Sequence, residues 1–223
     1  MMRGVFGKRR LFGLAACLSI LLLAPFALDR LFPPNLTRLH AVGVEVQDRE
    51  GRILSVLPAP GGFWRLATRP DDVAPVLLDL LIAAEDRRFY QHAGVDPLAL
   101  GRAAGQWLRA GRVISGGSTI TMQAARLLEP RPRGLRAKAI EIFRALQLEA
   151  RFSKREILGI WLTLAPQGGN IEGMRAGSLA WFGRPANRLD AAEAALLIAL
   201  ARRPAALSPD RHAVAAQAAR DDV

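Results

Sequence analysis

The chain has 223 residues, 51% of them apolar, and a formal charge of +11 from 31 Lys and Arg against 20 Asp and Glu. That length holds one ordinary domain with a short accessory segment, and the apolar fraction excludes global disorder. A single cysteine, Cys17, excludes an internal disulfide, and three histidines without ligand spacing argue against zinc chemistry.

Excess positive charge points to an anionic partner: nucleic acid, acidic lipid headgroups or a phosphorylated substrate. No zinc finger, basic zipper or aromatic ribonucleoprotein motif is present, so no nucleic-acid partner is expected. The N-terminus decides for the membrane. Lys8, Arg9 and Arg10 precede an uncharged run from Leu11 to Leu28, roughly the minimum length that crosses a hydrocarbon core as a helix. Basic flanks stay cytoplasmic, so residues 1–10 form a cytoplasmic tail, 11–31 a transmembrane anchor, and the rest lies on the far side. A cleaved signal would need Ala24-Pro25-Phe26-Ala27 as its cleavage site, a weak one. A lipoprotein signal at Leu14-Ala15-Ala16-Cys17 has most of the apolar run on the wrong side of the cysteine, and a buried core helix leaves the basic flank unexplained.

Residues 32–75 read as a linker with a β-hairpin. Pro33-Pro34 ends any helix. Val44, Val46, Ile53 and Val56 then flank Asp48-Arg49-Glu50-Gly51, β-branched runs around a glycine-ended turn. Pro58 to Pro75 reads as a loop-rich connection. Residues 76–223 form a mainly α domain. Asp96-Pro97 predicts an N-cap followed by proline at the first helical position. Ser153 with Glu156, and Asp190 with Glu193, predict capping boxes ahead of apolar helices.

Three stretches could carry chemistry. Glu85 closes an apolar run from Val76 to Ala84 interrupted only by Asp79, which predicts a buried helix and a low-dielectric place for its carboxyl. Such a place suits a group that exchanges a proton. The plain alternative is a solvated helix end, with Glu85 paired to Arg87 or Arg88. Gly116-Gly117-Ser118-Thr119 feeds a helix from Ile120 to Leu128, and free backbone N–H groups at such a terminus attract anions. An ordinary capped turn has the same sequence appearance. Gln123 and Arg126 lie one turn apart on that helix. Lys138, Glu141 and Arg144 recur at three-residue spacing opposite a core face of Ala139, Ile142, Phe143 and Leu146. This row is either a solvated surface or the wall of a wet cleft, and periodicity does not separate the two.

Taken together, the segments resemble the peptidoglycan glycosyltransferases (family 51), the polymerase module of class A penicillin-binding proteins. The likeness runs through Glu85-Asp86-Arg87-Arg88-Phe89-Tyr90-Gln91-His92-Ala93-Gly94-Val95-Asp96, then Gly116-Gly117-Ser118-Thr119-Ile120-Thr121-Met122-Gln123, then Lys138-Ala139-Ile140-Glu141. It continues through Ser153-Lys154-Arg155-Glu156-Ile157-Leu158 with Trp161-Leu162, and ends at Arg203-Pro204. Five motifs in order are far more specific than any one. Val113 to Thr119 and Arg144 to Glu149 are most similar to the penicillin-binding protein 1C branch. Ala137, Met122, Leu127 and Thr163 depart from the family's usual Arg, Gln, Asn and Asn.

The resemblance implies a lysozyme-like helical fold beside the cytoplasmic membrane, facing the periplasmic or extracellular side, with lipid II and the nascent glycan strand as substrates. It implies Glu85 as the base that deprotonates the acceptor hydroxyl and Glu141 as the second catalytic carboxylate. Ser118, Thr119, Gln123 and Arg126 would line the donor site, and Lys138 would neutralise the leaving diphosphate. A divalent cation (Mg or Mn) near Glu141 is the one cofactor expected, with no organic cofactor. Other cell-wall synthesis proteins are expected partners. The Ser-x-x-Lys and Lys-Thr-Gly signatures of a transpeptidase module are absent, and the C-terminus reads as truncated inside the final helix. A lytic enzyme of the same fold would have no use for diphosphate-binding cations, and a catalytically degenerate membrane scaffold is the other alternative.

Overall fold

The computed structural model describes residues 26–111, 117–132 and 134–223, except the side chains of Ala104 and Trp107. The transmembrane anchor expected over residues 11–31 lies almost entirely outside the described residues. Residues 26–31 are helical, and among the described residues no helix is long and apolar enough to cross a membrane. The chain divides at Pro34/Asn35, and Asn35–Val223 forms one compact unit.

That unit opens with a helical turn, Thr37–His40, and the expected hairpin: β1 (Val44–Gln47) pairs antiparallel with β2 (Ile53–Leu57). Asp48 builds the turn by accepting from the backbone of Glu50 and Arg52 and pairing with the Arg52 side chain at 2.5 Å. The loop expected over 58–75 is partly structured. Its β3 (Trp64–Arg65) lies parallel to β5 (Ile171–Glu172), which also pairs with β4 (Pro166–Gly168). Buried Arg65 ties this sheet together through Glu172, which Arg38 also reaches at 2.6 Å. Residues 35–75, which the sequence presents as a linker, therefore belong to the compact unit.

The body is mainly helical: α1 (Pro75–Glu85), α2 (Pro97–Ala110), α3 (Ile120–Leu128), α4 (Leu135–Arg151), α5 (Lys154–Leu164), α6 (Met174–Phe182), α7 (Ala191–Arg202) and α8 (Ala213–Asp221). The three caps anticipated from sequence all form. Asp96 accepts from the backbone N–H groups of Leu98 and Ala99. Ser153 and Glu156 exchange bonds ahead of α5, as do Asp190 and Glu193 ahead of α7. Helix α5 is central: Ile157, Leu158, Ile160, Trp161, Leu162, Thr163 and Leu164 are all buried, and it packs against α3. Helix α1 is less deep than its uniform apolarity predicts. Only Leu77 and Leu81 are fully buried, because the helix rests on α7 with one side towards solvent.

Candidate active site

Helices α1 and α7 finish side by side, and this brings Glu85 to Arg202 across 117 positions of sequence. Arg202 Nε donates to Glu85 Oε1 at 2.5 Å, and its Nη2 donates to the carbonyl of Ala84 at 3.2 Å. A carboxylate at a helix C-terminus faces the negative end of the helix dipole, and an arginine there compensates both charges. The other oxygen, Oε2, accepts from Gln123 Nε2 at 2.7 Å. The Glu85 side chain is 12% exposed. Its neighbours correct the sequence reading twice: the surroundings are polar rather than apolar, and the partner is Arg202 rather than Arg87 or Arg88.

The loop after Glu85 organises the start of α3. Asp86, nearly buried, accepts from Ile120 N–H at 3.0 Å and contacts His92 Nε2 at 3.1 Å. Thr119 accepts from Met122 N–H at 3.1 Å and donates to the Gly94 carbonyl at 2.5 Å. The N–H groups of Ile120 and Met122 are thus taken by the protein's own groups, as in a capped turn. Gly94, at φ +83°, lies against α4, where a Cβ would come within 2.8 Å of the Ala145 carbonyl oxygen. Arg88 holds Asp96 with two donors, Nε at 3.0 Å, and this fixes the far end of the loop.

Glu85, Asp86, Arg88, Arg102, Ser118 and Arg202 are among the residues that line a polar cleft of about 570 Å³. Lys138, from α4, donates to Ser118 Oγ at 2.6 Å and pairs with Glu141 at 3.3 Å. Glu141 is buried and does not itself line this cleft; it reaches the wall through the Lys138–Ser118 contact. Arg144, the third of the row, turns away to Glu129 at 3.2 Å and to Gln147 at 2.7 Å. Arg126 is half-buried, lines no part of this cleft and makes no hydrogen bond or ion pair with another described residue. Gln123 reaches the site through Glu85, and Thr119 lines it while its hydroxyl is committed to Gly94. Among the described residues no three His, Cys, Asp or Glu side chains converge on a point. A second cavity, about 410 Å³ and walled by Leu39, Phe152 and Ile160, has acidic groups already engaged: Asp71 with Arg155, and Glu156 in its capping box.

Nothing in the sequence singles out Arg202, the neighbour of the Arg203-Pro204 motif. An arginine ending an apolar helix carries no periodic signature of its partner. The adjoining Arg203-Pro204 motif was the one available hint.

With this helical body and its carboxylate cleft, the chain belongs to the transglycosylase family, whose model, described as Transglycosylase, matches residues 51–223. It is similar to penicillin-binding protein 1C of Escherichia coli (strain K12), at 44% identity over 210 residues, 94% of this chain and 27% of that protein. It is also similar to penicillin-binding protein 1B of Vibrio cholerae, at 38% over 177 residues, 77% of this chain and 23% of that protein. Penicillin-binding protein 1A of Aquifex aeolicus matches at 36% over 169 residues, 75% of this chain and 23% of that protein. The chain spans about a quarter of the length of these relatives.

Proposed function

We propose that this chain is a membrane-anchored peptidoglycan glycosyltransferase of lysozyme-like fold that polymerises lipid II, with Glu85 as its general base. Both Glu85 oxygens accept hydrogen bonds, from Arg202 and Gln123, which is the form a base must present. Glu85 takes the proton of the acceptor sugar's 4-hydroxyl as that oxygen attacks the donor's anomeric carbon. The bond to the diphosphate-lipid breaks with inversion, and the leaving group departs with its electron pair. Lys138 on the Ser118 wall meets the charge that grows on the phosphates, aided by Arg102 at the cleft rim. Glu141 keeps the Lys138 ammonium in place. The divalent cation that the resemblance implies finds a poor fit here, since Glu141 is buried outside the cleft lining with the Lys138 ammonium beside it, and no step is assigned to a metal.

The observation that carries this reading is one cleft lined both by Glu85 and by Ser118, to which Lys138 is bonded. A hydrolase would use the carboxyl and leave the cations without a task. Incubation with lipid II and, separately, with purified glycan tests it. Wild type should extend glycan chains, and Glu85→Gln should lower the rate by at least about 100-fold. Cleavage of glycan without chain growth would replace the reading by a lytic one, and neither activity would leave a scaffold.

A further inference from the structure

The Gln123 amide stands between Trp161 and Glu85. Trp161 Nε1–H donates to Gln123 Oε1 at 3.0 Å, and Gln123 Nε2 donates to Glu85 Oε2 at 2.7 Å. An amide can be turned end for end, but its two neighbours cannot. The indole only donates and the carboxylate only accepts, so a single amide orientation satisfies both. Turning it over would set oxygen against oxygen and N–H against N–H. Trp161 is 2% exposed and sits mid-helix on α5, so its donor is fixed by core packing and screened from water. The contrast with Trp181 is informative, since that indole donates to the backbone carbonyl of Gln167 at 3.0 Å and orients no side chain.

We infer that Trp161 is a positioning residue for Glu85, acting through the Gln123 amide. The inference rests on the reading of Glu85 as the base. Arg202 grips the other oxygen, but at 38% exposure it can swing into solvent. Gln123, tied to a core tryptophan, is the fixed side of the pair, and it sets where the free lone pairs of the carboxylate point. Phenylalanine at position 161 would keep most of the packing and abolish the orientation.

The test uses the full chain in detergent, with Trp161→Phe and Gln123→Leu made singly and together. In lipid II polymerisation, Trp161→Phe should lower kcat roughly 10- to 100-fold with KM essentially unchanged, since misplacement rather than binding is at stake. In the Gln123→Leu background the same change should cost less than about twofold, because the relay is already cut. Equal losses in both backgrounds would mean a structural role and overturn the inference, as would wild-type kcat in Trp161→Phe.

An independent readout needs no substrate. The chain has four tryptophans, and the indole N–H resonance that vanishes in Trp161→Phe should move in Gln123→Leu. A resonance that stays put overturns the contact. Where Trp161→Phe does not fold, the Trp161 signal is assigned by elimination from phenylalanine variants of the other three tryptophans: lost kcat with a shifted Trp161 signal in Gln123→Leu supports the inference, and an unaltered kcat or an unmoved signal overturns it. Should wild type fail to polymerise lipid II, the reading of Glu85 as base fails and the relay's catalytic meaning with it. The indole shift would then still report whether Trp161 holds Gln123.

Discussion

Arg202 and Glu85 form a pair whose value lies in geometry more than in stability. The arginine is more than a third exposed, so water screens the charge interaction and its loss should change folding by less than about 1 kcal/mol. Orientation is another matter, because the same guanidinium also holds the Ala84 carbonyl and so locks the last turn of α1 beneath the carboxylate. Arg202→Met should therefore lower the kcat of lipid II polymerisation roughly tenfold while a denaturant melt hardly moves. An unaltered kcat would reduce the contact to a surface ion pair. Glu85 was visible in the sequence because it terminates an apolar run. Its surroundings were not, because both donors come from elements 38 and 117 residues away. Lys138, Glu141 and Arg144 share a helical row, and the Lys138–Glu141 pair follows from that spacing, but the contacts of Lys138 with Ser118 and of Arg144 with Glu129 reach other segments, which spacing alone does not encode.

At the scale of elements, what is local is legible. Asp96 both caps α2 and binds Arg88, and these contacts hold its carboxyl below the ordinary range, the guanidinium contributing most and the Ala99 and Leu98 N–H groups adding to it. A carboxyl depressed in the folded state adds stability above its unfolded value, near pH 4, and loses it as pH falls through the folded value. Asn remains a good N-cap but carries no charge. The melting temperature of Asp96→Asn should accordingly lie below wild type at neutral pH, with the gap closing below about pH 4. A gap that does not change with pH would mean that the ion pair adds nothing. The three caps were predicted because a cap is written within four residues. Two-residue strands such as Trp64–Arg65 have no periodicity to detect, and Arg65 finds Glu172 at a separation of 107 positions.

Across the whole molecule, the small sheet is a joint that holds residues 35–65 to the helical body. Glu172 is shared by Arg65 and Arg38, and Arg65 also donates to the backbone carbonyls of Arg38 and Ala41 at 2.9 and 2.7 Å. Removing one member of a buried pair strands the others, at about 3–5 kcal/mol. Glu172→Leu should lose stability on that order in denaturant unfolding. A loss below about 1 kcal/mol would show that the hairpin end of the unit is held by packing instead.

The order of motifs along the chain was enough to indicate the family, because catalytic residue types recur at fixed spacings whatever their neighbours do. The three caps, the limits of α3 and the hairpin were equally available, being set by interactions between residues a few positions apart. The tertiary structure alone decided which side chains touch. It moved Glu85 from an apolar setting to a polar one, gave the Ile120 N–H to Asp86, and brought Lys138, with Glu141 beside it, to Ser118 at the cleft. Hydrogen-bond partners are chosen by packing across the whole fold, and a one-dimensional pattern carries no record of that choice.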